Sequence, residues 1–306
     1  MKRTKFALVT ALTAALALSA CGGGSGDDPL AEESAAPAAS DTIRIGSADF
    51  AENNLLAQIY SQALESKGVK VEEKLNIGSR ETYIPGLEDG SIDLIPEYSG
   101  VLLQYFKKGA TEVSSDDVYA ALPAALPATL QVLEQSTAED KDAVVVTKAT
   151  ADKYKLKTIA DLKPVAKDLV LGGPAEWKTR ETGVPGLKAK YDVVFKEFKS
   201  LDAGGPLSVG ALKSGSVQAA NIFSTDPNIS AEGWVALEDP EFLFAAQNVL
   251  PLINKEKATP EVTSTLNAIS AKLTTPVLTD LVKQVVLDKK DPATVAKDFV
   301  TTNGLG

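Results

Sequence analysis

The chain has 306 residues, long for one core and natural for two lobes. It holds no histidine and a single cysteine, which removes the commonest general base, the commonest metal ligand and any internal disulfide. A net charge of −10 argues against nucleic acid as a partner and against a polybasic grip on anionic lipid.

At the N-terminus Lys2, Arg3 and Lys5 precede an apolar run from Phe6 to Ala20, and the run ends in Leu18-Ser19-Ala20-Cys21. A basic start, an apolar stretch of about 15 residues against the roughly 20 that span a bilayer, and small residues before a cut site predict a secretory signal over 1–20. The ending resembles the bacterial lipobox, which implies that Cys21 becomes a lipid-bearing N-terminus on the extracytoplasmic side of the cell membrane; an ordinary signal with an incidental cysteine is the plainer alternative. Residues 21–40 read as a flexible tether. Gly22 to Ser40 are small residues, prolines and acids that cannot build a core and that span roughly 25 Å as a random coil.

Structure is expected from the alternating strand Thr42–Ile45, halted at Gly46-Ser47. Leu55, Leu56, Ile59, Tyr60 and Leu64 recur at helical spacing up to Gly68. Val69–Leu75 forms a second strand, Pro85–Leu87 belong to a short helix closed by Gly90, and Ile92–Pro96 is a third strand. Alternating strands and helices with short connections predict a parallel α/β sheet. The pattern resumes with a strand at Ala143–Thr147, a short helix near Ile159–Leu162, and a strand at Leu169–Leu171 that stops at Gly172-Gly173-Pro174. Next come a strand at Val193–Phe198, a helix holding Val209–Leu212, a strand at Val217–Phe223 and another at Val249–Ile253. Helices over Pro260–Leu273, Val277–Leu287 and Pro292–Val300 close the chain.

Two α/β stretches and a helical C-terminus fit two lobes joined by two crossovers. Lobe 1 takes 41–143 plus 249–306 and lobe 2 takes 144–248, with crossovers near Val144–Lys148 and Val249–Asn254. Ligands in open α/β sheets sit beyond the carboxyl ends of strands, so two facing lobes make a cleft that a hinge can close. No G-x-S-x-G elbow and no Walker-type phosphate loop occurs. Carboxylates alone can run a glycosidase, but acids are so abundant here that a pair is expected by chance. The chain is therefore expected to be no enzyme and to need no cofactor or metal.

Three clusters form one ordered pattern: Ile45-Gly46-Ser47-Ala48-Asp49-Phe50 with Glu52, then Gly78-Ser79-Arg80-Glu81, then Gly90-Ser91-Ile92-Asp93-Leu94-Ile95-Pro96-Glu97-Tyr98-Ser99-Gly100. The second stretch adds Leu171-Gly172-Gly173-Pro174, Glu176-Trp177, Arg180, Gly183-Val184-Pro185-Gly186-Leu187, Leu201–Leu207, Ala211–Gly215 and Phe223-Ser224-Thr225-Asp226-Pro227. From about 42 to 300 the chain resembles the substrate-binding proteins of ABC importers for glycine betaine, choline and related osmoprotectants. The resemblance implies a type II periplasmic-binding-protein fold and a membrane partner, an ABC permease with its ATPases. It implies a quaternary-amine cargo held by a monomeric receptor that performs no reaction.

A quaternary ammonium donates no conventional hydrogen bond and is held by aromatic faces. By resemblance Tyr98 takes a cage position, and Phe223 stands where relatives often carry tyrosine. Phe50, on the first loop, and Trp177 add candidate walls, each with core packing as its alternative. Arg180 is the candidate cation for a cargo carboxylate, since its fork suits bidentate pairing. Asp142 and Asp226 are candidates to offset ligand charge, Asp226 equally a cap for the turn at Pro227, and Thr225 joins them. Ala143-Val144 and Ser208-Val209 are aliphatic where relatives carry rings, which predicts a thinner cage, weaker by roughly 0.5–2 kcal/mol per lost ring, and a cargo bulkier or less cationic than glycine betaine. The alternatives are the same receptor class with a different small molecule, or a surface lipoprotein outside transport.

Overall fold

The computed structural model describes residues 41–306, so the expected signal, the tether and Cys21 lie outside the described residues. The first sheet grows from β1 (Thr42–Gly46), β2 (Lys70–Lys74) and β3 (Leu94–Tyr98), linked by α1 (Ala51–Ser66) and α2 (Arg80–Glu88). Two helices, α3 (Ser99–Phe106) and α4 (Ser115–Ala125), lead to the short β4 (Leu130–Val132). The second sheet begins at β5 (Asp142–Val146), followed by α5 (Lys148–Tyr154), β6 (Val170–Pro174), α6 (Val184–Tyr191) and β7 (Glu197–Leu201). It continues through α7 (Pro206–Lys213), β8 (Ala219–Phe223), α8 (Pro227–Ala231) and β9 (Val235–Ala236). The chain then returns to the first sheet as β10 (Val249–Asn254) and ends in α9 (Pro260–Ser270), α10 (Thr275–Val286) and α11 (Pro292–Thr302).

The two sheets have matching orders, β2-β1-β3-β10-β4 and β7-β6-β8-β5-β9. In each, three parallel strands meet one antiparallel strand, β10 on β3 and β5 on β8. The sequence pattern predicts parallel sheets, and the difference has a topological cause. β5 and β10 enter from the other lobe, so they run against the strands beside them. β3 also continues past the expected stop at Pro96, which faces Pro251 of β10. β1 pairs with β3 only at Ile45–Leu94, so by Pro96 no neighbour on that side asks for an amide proton.

Each sheet is covered on both faces. Leu55, Leu56, Ile59 and Leu64 of α1 are fully buried and pack with α9–α11 on one face of the first sheet. Burial of that kind stabilises by about 1.5–3 kcal/mol per side chain. The opposite face holds Ile84, Leu87, Leu102 and Leu122 from α2, α3 and α4. The second sheet is flanked likewise, by Trp177, Leu187 and Phe244 on one face and Leu212, Val217 and Ile222 on the other.

β5 and β10 are full members of their sheets, so the connections between the lobes lie just before them. There the two passages pair with each other. Glu139 bridges Asn248 antiparallel, Asp140 N donates to Gln247 O at 3.1 Å, and Val249 N donates to Ala138 O at 3.0 Å. The hinge is thus a two-stranded ribbon, and Asp140 and Gln247 sit on it.

Candidate functional site

The parallel strands of both sheets end at the same place. β1 ends at Gly46 and feeds the loop to Phe50, the N-cap of α1. Asn53 holds that loop in place: its Oδ1 accepts from Ala48 N at 2.7 Å, and its Nδ2 donates to Pro96 O at 2.8 Å. β3 ends at Tyr98, β6 at Pro174, β7 at Leu201 and β8 at Phe223. Asp142 opens β5 directly opposite Phe223. Between these ends lies a cavity of about 220 Å³. A neighbouring opening of about 590 Å³ shares Phe50 and Phe223 with it and runs on to Val282–Leu287 at the end of α10.

Three rings form one wall. Phe50 lies 4.9 Å from Phe223 and 6.0 Å from Tyr98 by ring centroids, tilted by 36° and 32°. Phe50 and Tyr98 belong to the first lobe and Phe223 to the second, so the wall crosses the cleft. A buried carboxylate fixes Tyr98 from behind. Glu97 accepts from Arg80 Nε at 2.7 Å, Arg80 Nη2 at 2.8 Å, the Tyr83 hydroxyl at 2.6 Å and Tyr98 N at 2.8 Å. Four donors on one fully buried acid make the ion pair a positioning device, since breaking it would strand a charge. The Tyr98 hydroxyl donates to Glu52 Oε1 at 2.9 Å, and Thr225 donates to Glu52 Oε2 at 2.6 Å across the cleft. Burial pushes the Glu52 carboxyl up, and burial together with the charge of Glu52 pushes Asp140 well up.

Phe50, Tyr98, Asp142, Arg180 and Phe223 come together on the smaller cavity. Thr225 and Asp226 face the larger opening. Asp226 caps α8, accepting from Asn228 N at 2.7 Å. Trp177 is corrected: it is fully buried in the second lobe's core, stacked 6.0 Å from Phe244, and lines no part of the cleft. It lies in the short 3-10 turn Ala175–Lys178, right after β6, and joins the core cluster of Leu171, Leu187 and Phe244. Arg180 is on the cavity wall, but its fork is filled by Glu81, with Nε–Oε1 at 2.9 Å and Nη2–Oε2 at 2.7 Å. That pair joins the lobes, as does Gly109 N donating to Glu181 at 2.8 Å.

Arg80, Asn221 and Gln247 also line the cavity and escaped the sequence reading. A signal existed for Asn221, a lone amide inside the apolar strand Ala219–Phe223. Arg80 stood in the plain view of Gly78-Ser79-Arg80-Glu81 but carried no assigned role. Gln247 had no signal, because it lies on the passage between the lobes and in none of the periodic elements. Chemically the site offers ring faces, two arginines each engaged by a glutamate, and several carboxyls. Among the described residues no group of histidine, cysteine, aspartate and glutamate is disposed to hold a metal ion. No described helix is long and apolar enough to cross a membrane.

Residues 41–302 match the family described as the substrate binding domain of ABC-type glycine betaine transport systems. The chain is 28% identical to the carnitine transport binding protein OpuCC of Listeria monocytogenes serotype 1/2a (strain 10403S), over 99% of this chain and 98% of that protein. It is 25% identical to the glycine betaine-binding protein YehZ of Escherichia coli (strain K12), over 87% and 92%. A solved structure of a glycine betaine/carnitine/choline ABC transporter protein superposes with a TM-score of 0.68 at 24% identity, covering 86% of this chain and 99% of that one. A structure of lactococcal OpuAC, closed on glycine betaine, gives 0.62 at 14% identity, covering 86% and 96%. These likenesses establish the type II periplasmic-binding-protein fold.

Proposed function

Since the chain belongs to the substrate-binding family of ABC-type glycine betaine transport systems, a class of extracytoplasmic solute receptors and not of enzymes, we propose that its cargo is a small quaternary-ammonium solute seated against Phe50, Tyr98 and Phe223. The observation that carries this reading is the three-ring wall on one cavity, with centroids 4.9 and 6.0 Å from Phe50. A trimethylammonium head desolvates well against such faces, at about 0.5–2 kcal/mol per ring. Asp49, Asp142 and Asp202 on the same lining suit a cation. Both lining arginines, Arg80 and Arg180, are engaged by Glu97 and Glu81, which favours a cargo that does not depend on a carboxylate grip.

The two lobes, hinged on the ribbon at Asp140 and Gln247, close on the cargo, and the closed form docks on the permease. Closure is stabilised by the cargo's differential affinity for the closed state. The leader and Cys21 in the sequence support anchoring by lipid on the outer face of the membrane. Loss of lipid labelling in Cys21→Ser tests that part independently of the cargo.

Calorimetric titration with glycine betaine, choline, carnitine and proline tests the cargo. At least one quaternary amine is expected to bind while proline does not. Tyr98→Phe, which keeps the ring, is expected to stay within a few-fold of the parent, and Tyr98→Ala to lose about 0.5–2 kcal/mol or more. Equal affinity in the parent and Tyr98→Ala would remove the ring wall from the binding site.

A further inference from the structure

Two buried amides in the cavity are left half-used. Asn221, 1% exposed in β8, donates from Nδ2 to Asp142 Oδ1 at 2.8 Å, which settles the amide's orientation. Its Oδ1 finds no hydrogen-bond partner among the described residues. Gln247, 2% exposed on the hinge ribbon, has a buried Nε2 that makes no hydrogen bond of good geometry among the described residues, and its side chain lies close enough to Asp142 to favour that carboxyl's charged form while the amide's second proton stays unused. Both side chains line the same 220 Å³ cavity. Buried polar groups are almost always satisfied, and orphans inside a binding cavity point to a partner supplied by the ligand.

The two atoms differ in kind. Asn221 Oδ1 asks for a donor, and Gln247 Nε2 asks for an acceptor. A trimethylammonium head serves neither, and a carboxylate serves only the second. A hydroxyl is the smallest group that gives a proton to one and takes a proton from the other. Asp142, bonded to Asn221, keeps the amide from turning its nitrogen toward the cavity.

Resting on the quaternary-ammonium reading above, we propose that the cargo carries a hydroxyl group, and that Asn221 and Gln247 are the residues that select it. The rings take the cationic head, and the amides reject analogues that leave them unpaired. A site built to hydrogen-bond a hydroxyl discriminates strongly against the isostere without one.

Calorimetry on the purified protein with two matched pairs tests this. One pair is choline and propyltrimethylammonium, and the other is carnitine and its deoxy analogue γ-butyrobetaine. At least one hydroxylated solute is expected to bind about tenfold or more tighter than its partner. Asn221→Leu and Gln247→Met, each checked for a native melting transition, are expected to bring that ratio near one by weakening the hydroxylated member. Equal affinity within both pairs on the parent protein overturns the hydroxyl inference while leaving the quaternary-amine reading intact. Binding by none of the four removes both. A ratio unchanged in both variants shows that selection comes from elsewhere and overturns the assignment to these residues.

Discussion

Glu52 and Asp140 are two acids buried side by side, one on α1 and one on the hinge. Tyr98 and Thr225 both donate to Glu52, while Thr225 N at 3.0 Å and Ser224 Oγ at 3.3 Å donate to Asp140. Burial pushes both carboxyls up; the charge of Glu52 raises Asp140 further and the charge of Asp226 adds to the effect on Glu52, while the hydrogen bond shared with Asp140 eases the ionisation of Glu52. The folded pair therefore keeps a proton that the unfolded chain gives up near pH 4, at about the ordinary carboxylate value. The native state binds the extra proton, so this pair's contribution is fully present below that pH. It is lost as pH rises toward the raised native value, by up to about 1.4 kcal/mol per pH unit for each proton retained. Glu52→Gln removes one acid and leaves a side chain that still bonds Tyr98 and Thr225. Thermal melts from pH 5 to 8 are expected to show the variant gaining on the parent as pH rises. A stability gap that does not move with pH would mean that the pair is already ionised in the folded protein.

Between elements, a single missing methyl sets how closely α3 approaches the hinge. A Cβ on Gly100 would stand 2.4 Å from Ala246 O and 3.1 Å from the Ala245 side chain. The helix begins one residue after Tyr98, and its first turn rests on the returning passage, where Ser99 N donates to Asn248 O at 3.0 Å. Gly100→Ala is expected to lower stability by about 1–3 kcal/mol despite the better helix former, because backbone has to move. Urea titration measures it, and a neutral or stabilising result would show that the ribbon yields freely. The sequence analysis predicts no element at α3, since an early glycine is a poor helix former, yet here the glycine lets a helix start against the returning passage. α4 was masked in a similar way by Pro123 in its interior. The strand expected at Val193–Phe198 lies at Glu197–Leu201, for a packing reason. Val193 is buried and plugs the core, Val194 is 53% exposed, and the true edge strand, Glu197–Leu201, has no period-2 alternation to reveal it, its two apolar residues Phe198 and Leu201 standing three apart. Where periodicity was clean, as in α1, β10 and the three closing helices, pattern and structure coincide to within a few residues. At the site, Tyr98 and Phe223 were named through the family resemblance and Phe50 through its place on the first loop, and the three meet on one cavity because β3 and β8 end there and the loop after β1 reaches it. For Trp177 the sequence left wall and core packing both open, because a position in a short turn says nothing about which way the indole folds, and the structure buries it in the core.

Across the whole molecule, the question is what holds the lobes together before cargo arrives. The Glu81–Arg180 pair and the Gly109–Glu181 bond span one side of the cleft, and Thr225–Glu52 with Phe50–Phe223 spans the other. Partial burial would push the Glu81 carboxyl up, but the Arg180 fork holds it down to about 2, so the pair is fully charged throughout the neutral range. Its side chains are 43% and 25% exposed, so its contribution to closure is modest, about 0.2–1 kcal/mol, and falls with salt. Glu81→Gln should then populate the open form, and the apparent Kd rises as the closed fraction falls. The expected change is a rise of up to about fivefold for any cargo, with a larger cargo-free radius of gyration by small-angle scattering. Half-molar salt should weaken the parent similarly and the variant hardly at all. The competing role for Arg180, gripping a cargo carboxylate, predicts the opposite sign for part of the series. Freed from Glu81, the fork would tighten glycine betaine and carnitine relative to choline, which has no carboxylate. A uniform loss across the three solutes assigns Arg180 to the latch, and a gain confined to the carboxylate-bearing pair assigns it to the cargo.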